Sequence, residues 1–382
     1  MTRHHPLLSK QKLNVAISEF EKGVFVMSGM PVKQADILRL HAQQDLRLET
    51  CEAAAPGLGQ VRIAMERGGI CGSDLHYFAH GGVGQIRVRE PIILGHEAAG
   101  RIEAIGQGVD TLTPGMLVAV NPSRPCGHCR FCRSGMERHC TDMHFMGSAM
   151  HLPHEQGLYR SYLTVDAAQC FAFPEGISAG EAACSEPLAV CLHAVSRVPS
   201  GVDKLNVLVT GCGPIGCLTI AAAKAAGAAH IVATDLNAEA LEVASKMGAD
   251  VTIDLKARPN GVSEEGPYDV AFECSAASQA VTSAIEALEP CGVLVEVGVA
   301  GTMELPVGRM VAREISYIGT HRFDSEFADA VNAIGSRRID VRPIITRTYP
   351  MNQAGAAFAL ALDKSKSCKV HIALNETEDK QA

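Results

Sequence analysis

The chain of 382 residues contains no tryptophan, and only 4% of it is aromatic. Since 47% is hydrophobic, its core must be largely aliphatic, built from Ala, Val, Ile and Leu. It also lacks a basic run. Lys and Arg number 34 against 42 Asp and Glu, a formal net charge of −8, which argues against nucleic acid as the main partner. No stretch reads as a membrane span. The most apolar one, Val207 to Ala223, contains Gly211, Gly213, Pro214 and Gly216. That punctuation suits strand, turn and helix, not a spanning helix of about 20 residues. Met1 to Phe20 carries no apolar segment of the kind that heads a secretory signal.

What the chain has in quantity is cysteine, 14 residues. In a long chain without an export signal these are expected to be thiols and metal ligands rather than disulfides, in a reducing cytoplasm. The length suits two or three domains. Residues 1–30, with His4 and His5, read as a disordered N-terminal extension.

From Asp45 to Glu186 short β-like runs alternate with Gly and Pro, as in Gln60–Glu66, Ala98–Gly106 and Leu117–Pro122. This predicts a compact, mostly antiparallel β domain. From Lys204 the pattern changes to strand then helix, repeatedly: NVLVTG, PIGCLTIAAAKAAGA, HIVATD, NAEALEVASKMGA. Such alternation builds a parallel, doubly wound sheet, so the fold class is α/β. A strand-like KVHIAL (Lys369–Leu374) lies near the end.

Three constellations carry chemistry. Gly211, Gly213 and Gly216, with Pro214 and Ile215 between them, form GxGxxG between a strand and a helix. Gly211 allows the tight turn, Gly213 the approach of a pyrophosphate, and Gly216 the packing of helix on strand. Asp235 ends the next strand, nineteen positions after Gly216. Its carboxylate accepts from a ribose 2′-OH and repels a 2′-phosphate, so NAD is favoured over NADP. Second, Cys126, Cys129, Cys132 and Cys140 can close a tetrahedral zinc shell, a structural role. An iron–sulfur cluster competes, but no Cys-Pro follows. A nucleic-acid zinc ribbon, suggested by Arg124, Arg130, Arg133 and Arg138, conflicts with the overall charge. Third, Cys71, His96 and Glu186 offer a thiolate, an imidazole and a carboxylate, a donor set suited to an open, catalytic zinc position.

GGICGSDLHYF, ILGHEAAG, the four-cysteine loop, Ser185-Glu186-Pro187-Leu188 and GCGPIG occur in that order. Over Gly68 to Val370 the chain resembles the zinc-dependent medium-chain alcohol dehydrogenases, and among them the sorbitol/polyol branch. NPSRPCGHCRFC, CTDMHFMGSAM and Arg322-Phe323 resemble its sugar-acid members, which interconvert L-idonate and 5-keto-D-gluconate.

The resemblance implies a GroES-like β-rich catalytic domain over residues 31–187 and 323–382, with the structural zinc loop at 126–140. It implies a Rossmann NAD-binding domain over 188–322. Cys71 and His96 become ligands of the catalytic zinc, with Glu186 or Glu97 supplying the carboxylate, directly or through water. Asp74 would accept the other ring N–H of His96. Ser73 would hydrogen-bond the substrate hydroxyl and His76 pass the proton on. Val297 and Arg322 would border the nicotinamide. Arg322, ahead of Arg160 and Arg124, would meet the carboxylate of an aldonate. Sorbitol, xylitol, butanediol and threonine are the alternative substrates, and a homo-tetramer or dimer the implied assembly. The family often has Arg where this chain has Ala240. His151 and His154 read as loop residues.

Overall fold

Gln60–Gly69 is the strand around which the first sheet is organised. Its sequence, QVRIAMERGG, is buried along nearly its whole length. In this computed structural model, which describes residues 31–299 and 301–375, it pairs with three neighbours. Glu97–Ile105, Tyr162–Asp166 and Lys369–Ala373 all run antiparallel to it. The sheet has seven strands and continues through Leu117–Val120 to Cys170–Ala172 on one side, and to Ile345–Pro350 on the other. Register at the end of the central strand matters most: Gly69 lies opposite Glu97 on one side and His371 on the other. The strand then leads straight into Cys71 and the helix Gly72–His80. Residues far apart in sequence thus meet at one sheet end. The extension containing His4 and His5 lies outside the described residues.

The second sheet is parallel and six-stranded. Its order is Val251–Asp254, His230–Asp235, Asn206–Thr210, Tyr268–Glu273, Leu288–Glu296, Ser316–Gly319. The first strand in sequence sits third, so successive connections reverse direction beside it, the doubly wound arrangement that opens a crevice at the strand carboxyl ends. Helix Pro214–Ala225 begins there, with Gly213 as its N-cap and Pro at the first turn. The core is aliphatic as the composition requires: Ala, Val, Ile and Leu from both sheets are buried, with Tyr159, Tyr268, Phe272, Phe327 and Phe358 the large rings sealed inside. Among the described residues no helix is long and apolar enough to cross a membrane.

Candidate active site

Cys71, His96 and Glu97 offer one thiolate, one imidazole and one carboxylate, and the donor atoms lie within 4.8 Å of one another. They converge because Gly69 and Glu97 are cross-strand partners. A Cβ at Gly69 would run into the Glu97 side chain, so only glycine leaves room for the carboxylate. Asp74 holds the two supporting loops. It accepts from the backbone N–H of Cys71 (3.1 Å) and of Gly95 (3.2 Å), and from the hydroxyl of Tyr159 (2.9 Å). Its nearest oxygen is 3.8 Å from His96 Nδ1, beyond hydrogen-bond length. The expected acceptance of the imidazole N–H is therefore not made; the carboxylate is committed to the backbone that presents Cys71 and His96.

Glu186 lies in the first turn of helix Ser185–Ser196 and is buried. It falls outside the 4.8 Å group but is electrostatically coupled to it: burial first, offset by His96 and reinforced by Glu97, pushes its carboxyl up to about 8. Burial and the Glu97 charge likewise push the Cys71 thiol up to about 12. Three acids crowded into a dry space face one buried ammonium, that of Lys369, which donates to both oxygens of Glu97 at 2.8 and 2.7 Å. Such a set ionises fully only with a further cation between its members. Its sulfur, nitrogen and oxygen donors are those of an open zinc position.

Ser73 and His76 stand three apart on helix Gly72–His80, hence on neighbouring positions of one face. Ser73 is half-buried and His76 exposed. Arg322, at φ 50°, lays its guanidinium 4.1 Å from the centroid of Phe145. That ring lies 5.5 Å from the ring of His96. Arg322 donates to the sulfur of Met150 at 3.5 Å and has no carboxylate partner among the described residues. Arg160, by contrast, donates to the carbonyl of Gly157, and Arg124 to Glu155.

The four-cysteine loop is folded as a thiolate cup. Cys126, Cys129, Cys132 and Cys140 form one donor group, with Sγ–Sγ distances of 4.0 Å (126 to 132) and 3.5 Å (129 to 132). Tetrahedral zinc with sulfur at 2.3 Å separates its sulfurs by roughly 3.8 Å, which these distances bracket. The backbone N–H groups of Cys132 and Thr141 bring Cys129 down to about 5, while burial and Cys129 hold Cys132 up to about 12.

At the glycine turn, Gly211 has φ +85° and its Cβ would meet Ser275. A Cβ on Gly216 would strike the carbonyl oxygen of Gly211, whereas one on Gly213 would meet nothing within 4 Å among the described residues. Ile215 packs beside the core beneath this turn. Asp235 accepts from Cys212 N–H at 2.7 Å and from Leu236 and Asn237 N–H at 2.7 and 2.9 Å, which fixes its carboxylate at the rim of the turn. Val297 follows the fifth strand and donates to the Glu273 carbonyl at 2.8 Å.

A family model described as alcohol dehydrogenase GroES-like domain matches residues 57–175, and one described as zinc-binding dehydrogenase matches 214–336. The chain is 39% identical over 313 residues to an L-idonate 5-dehydrogenase (NAD(P)(+)) of Escherichia coli K12, covering 81% of this chain and 90% of that protein. It is 35% identical over 330 residues to human sorbitol dehydrogenase, covering 84% and 91%. The chain belongs to the medium-chain zinc dehydrogenases. The crystal structure of the Escherichia coli L-idonate 5-dehydrogenase superposes with a TM-score of 0.84 at 35% identity, over 90% of this chain and 99% of that one. A Bacillus subtilis 2R,3R-butanediol dehydrogenase superposes at 0.80 with 28% identity. Like other medium-chain zinc dehydrogenases, the protein is an oxidoreductase acting on CH–OH donors with a nicotinamide cofactor. Two residues of this dehydrogenase site escape a sequence reading. Lys369 carries one available signal, a charged residue opening an apolar strand. Tyr159, whose hydroxyl oxygen also lies 2.7 Å from Gly69 O, carries none.

Proposed function

We propose that the chain transfers hydride between NAD and the secondary alcohol of a sugar acid, L-idonate to 5-keto-D-gluconate being the substrate pair. The observation that carries this is Arg322, a guanidinium free of any carboxylate partner among the described residues and stacked on the ring that borders His96. A neutral polyol has no use for such a cation, and an aldonate carboxylate takes it bidentately.

Cys71, His96 and Glu97 are the ligand set we assign to a catalytic zinc, and the four cysteines of 126–140 to a structural one. When bound, the zinc supplies a Lewis acid for the hydroxyl and NAD the hydride acceptor. Ser73 accepts the hydroxyl proton and His76, on the same helical face and exposed, delivers it to solvent. Glu186 faces the same space as a buried carboxyl that takes and returns a proton near neutrality. Asp235 holds the adenosine ribose and selects NAD; Gly213 and the amino end of helix Pro214–Ala225 receive the pyrophosphate. Val297 and Arg322 flank the nicotinamide.

The catalytic part is taken as residues 31–187 and 323–382 and the cofactor part as 188–322. Strand Ser316–Gly319, at the sheet edge among the described residues, and the exposed Val299, Val307 and Val311 in the segment that precedes it support assembly into a dimer or tetramer. Fourteen unbridged thiols suit a reducing cytoplasm.

The test is an initial-rate comparison of L-idonate, sorbitol, xylitol, butanediol and L-threonine with NAD and NADP, in the native chain and in Arg322→Ala. Selective loss of the aldonate activity supports the reading. Equal losses on aldonate and sorbitol remove the carboxylate role, and a native preference for sorbitol makes the chain a polyol dehydrogenase.

A further inference from the structure

A second histidine-containing cluster lies just beyond the cysteine loop. Asp142, His144 and His151 present donor atoms within 4.8 Å of one another. His144 sits on a short strand, His144–Phe145, paired with Ser123–Arg124. The backbone N–H of Asp142 donates to Cys140 Sγ at 3.3 Å, so the cluster is anchored to the end of the thiolate cup.

Each ring has one nitrogen engaged and one available. His144 Nδ1 is bonded to the Glu155 carboxylate, and Arg124 meets the other Glu155 oxygen at 3.4 Å. That contact fixes the proton on Nδ1 and turns the Nε2 lone pair outward. His151 Nε2 faces the carbonyl of Met143 at 3.0 Å, a contact only an N–H can make, so Nδ1 holds its lone pair. The two rings stack at 4.6 Å with planes 7° apart. Asp142 Oδ1 lies 3.5 Å from His144 Nε2. Two ligands of a tetrahedral zinc with bonds near 2.1 Å are roughly 3.4 Å apart, so this pair already has the spacing of adjacent ligands. For its lone pair to complete the set, the His151 ring would turn out of this stack.

We propose that Asp142, His144 and His151 form a further divalent-metal site, separate from the Cys71 set and the cysteine loop, that takes a zinc-class ion. Two imidazoles and one carboxylate select zinc or nickel over magnesium or calcium, which prefer oxygen. Glu155 is its positioning residue. The site ties residues 142–144 to 151, and the segment between them carries Phe145 and Met150, the two side chains against which Arg322 rests. Occupancy therefore stiffens the wall that holds Arg322.

The experiment is equilibrium dialysis of the purified, zinc-loaded protein against buffered Zn2+, with metal counted per chain by mass spectrometry. The native chain is compared with His151→Ala, Asp142→Asn and Glu155→Gln. The native chain is expected to hold one more zinc than His151→Ala and Asp142→Asn. Glu155→Gln is expected to retain the ion with affinity lower by about tenfold or more. Equal counts in native and both ligand variants overturn the proposal, whether the extra ion is absent from all or present in all. The readout is a difference between proteins, so failure of the catalytic-zinc reading would lower every total alike and leave this comparison intact.

Discussion

Lys369 Nζ lies 2.7 Å from Glu97 Oε2 and 2.8 Å from Oε1, and both side chains are almost wholly buried. A third bond, to the Ile70 carbonyl at 3.1 Å, completes the ammonium's donors. Burial alone would lower the Lys369 pKa, but the Glu97 charge and its hydrogen bonds, with Cys71, raise it above the usual lysine value. The pair joins strand Lys369–Ala373 to strand Glu97–Ile105 across Gly69, and so couples the far end of the chain to the candidate zinc ligands. Removing one partner of a buried ion pair leaves an uncompensated charge, at a cost of about 3–5 kcal/mol. Lys369→Met is therefore expected to lower unfolding stability by about that amount, read from urea denaturation at fixed zinc. A loss below about 1 kcal/mol would show that the pair is not closed in solution.

His371, two positions on, gives the protein a pH-dependent term. Burial, and then the neighbouring Lys369 and Arg67 charges, bring its imidazole down to about 3. Its Nδ1 has no hydrogen-bond partner among the described residues, and Nε2 is 3.9 Å from Cys184 Sγ. The folded state keeps it neutral, while the unfolded chain takes up a proton below about pH 6.5. Unfolding thus binds a proton, and stability falls as pH drops from about 6.5 toward 3, with a slope approaching about 1.4 kcal/mol per pH unit. His371→Gln should remove this term, so that the native-minus-variant stability difference shrinks as pH falls from 7 to 5. Parallel stability curves over that range would contradict the buried neutral state.

Much of this was legible in the sequence, for definite reasons. The parallel sheet was readable because strand, glycine turn, helix and terminal Asp235 repeat a local pattern, and the four cysteines because ligand spacing is itself local. The β domain was readable in kind but not in pairing: nothing near Gly69 announces that Glu97 and His371 flank it. For the same reason the sequence suggested Asp74 as partner of His96. The acidic residue and its nearness were right, but the bonds that satisfy it come from Cys71, Gly95 and Tyr159, which only the register brings together. Lys369 was missed because its partner lies 272 residues away.

The glycine turn separates packing from binding. A Cβ on Gly216 would collide with the Gly211 carbonyl and approach Cys274 Cβ at 3.6 Å, so Gly216→Ala must shift backbone. It should cost about 1–3 kcal/mol of stability as well as cofactor affinity. At Gly213 a methyl group meets nothing within 4 Å among the described residues. Gly213→Ala should leave the denaturation midpoint nearly unchanged while weakening NADH binding by about tenfold, about 1.4 kcal/mol. NADH fluorescence titration alongside thermal melts reads both. Unchanged NADH affinity in Gly213→Ala would remove this turn from the pyrophosphate site.

The two carboxylates beside Cys71 should prove unequal. Glu97 shares the 4.8 Å donor group with Cys71 and His96 and is held in place by Lys369, whereas Glu186 approaches from another helix with its carboxyl pushed up by burial. A ligand must be ionised and a proton carrier must titrate near the working pH. Accordingly, Cys71→Ala and Glu97→Gln should each lose one zinc per chain and nearly all turnover, with NADH affinity retained because the glycine turn and Asp235 are untouched. Glu186→Gln should keep the zinc count, lower kcat and remove a pH-dependent limb near pH 8 from the rate profile. Metal content, NADH titration and pH–rate curves on the three variants decide it. Zinc lost from Glu186→Gln but kept in Glu97→Gln would exchange the two roles, and full activity in Cys71→Ala would remove the metal site from the reaction.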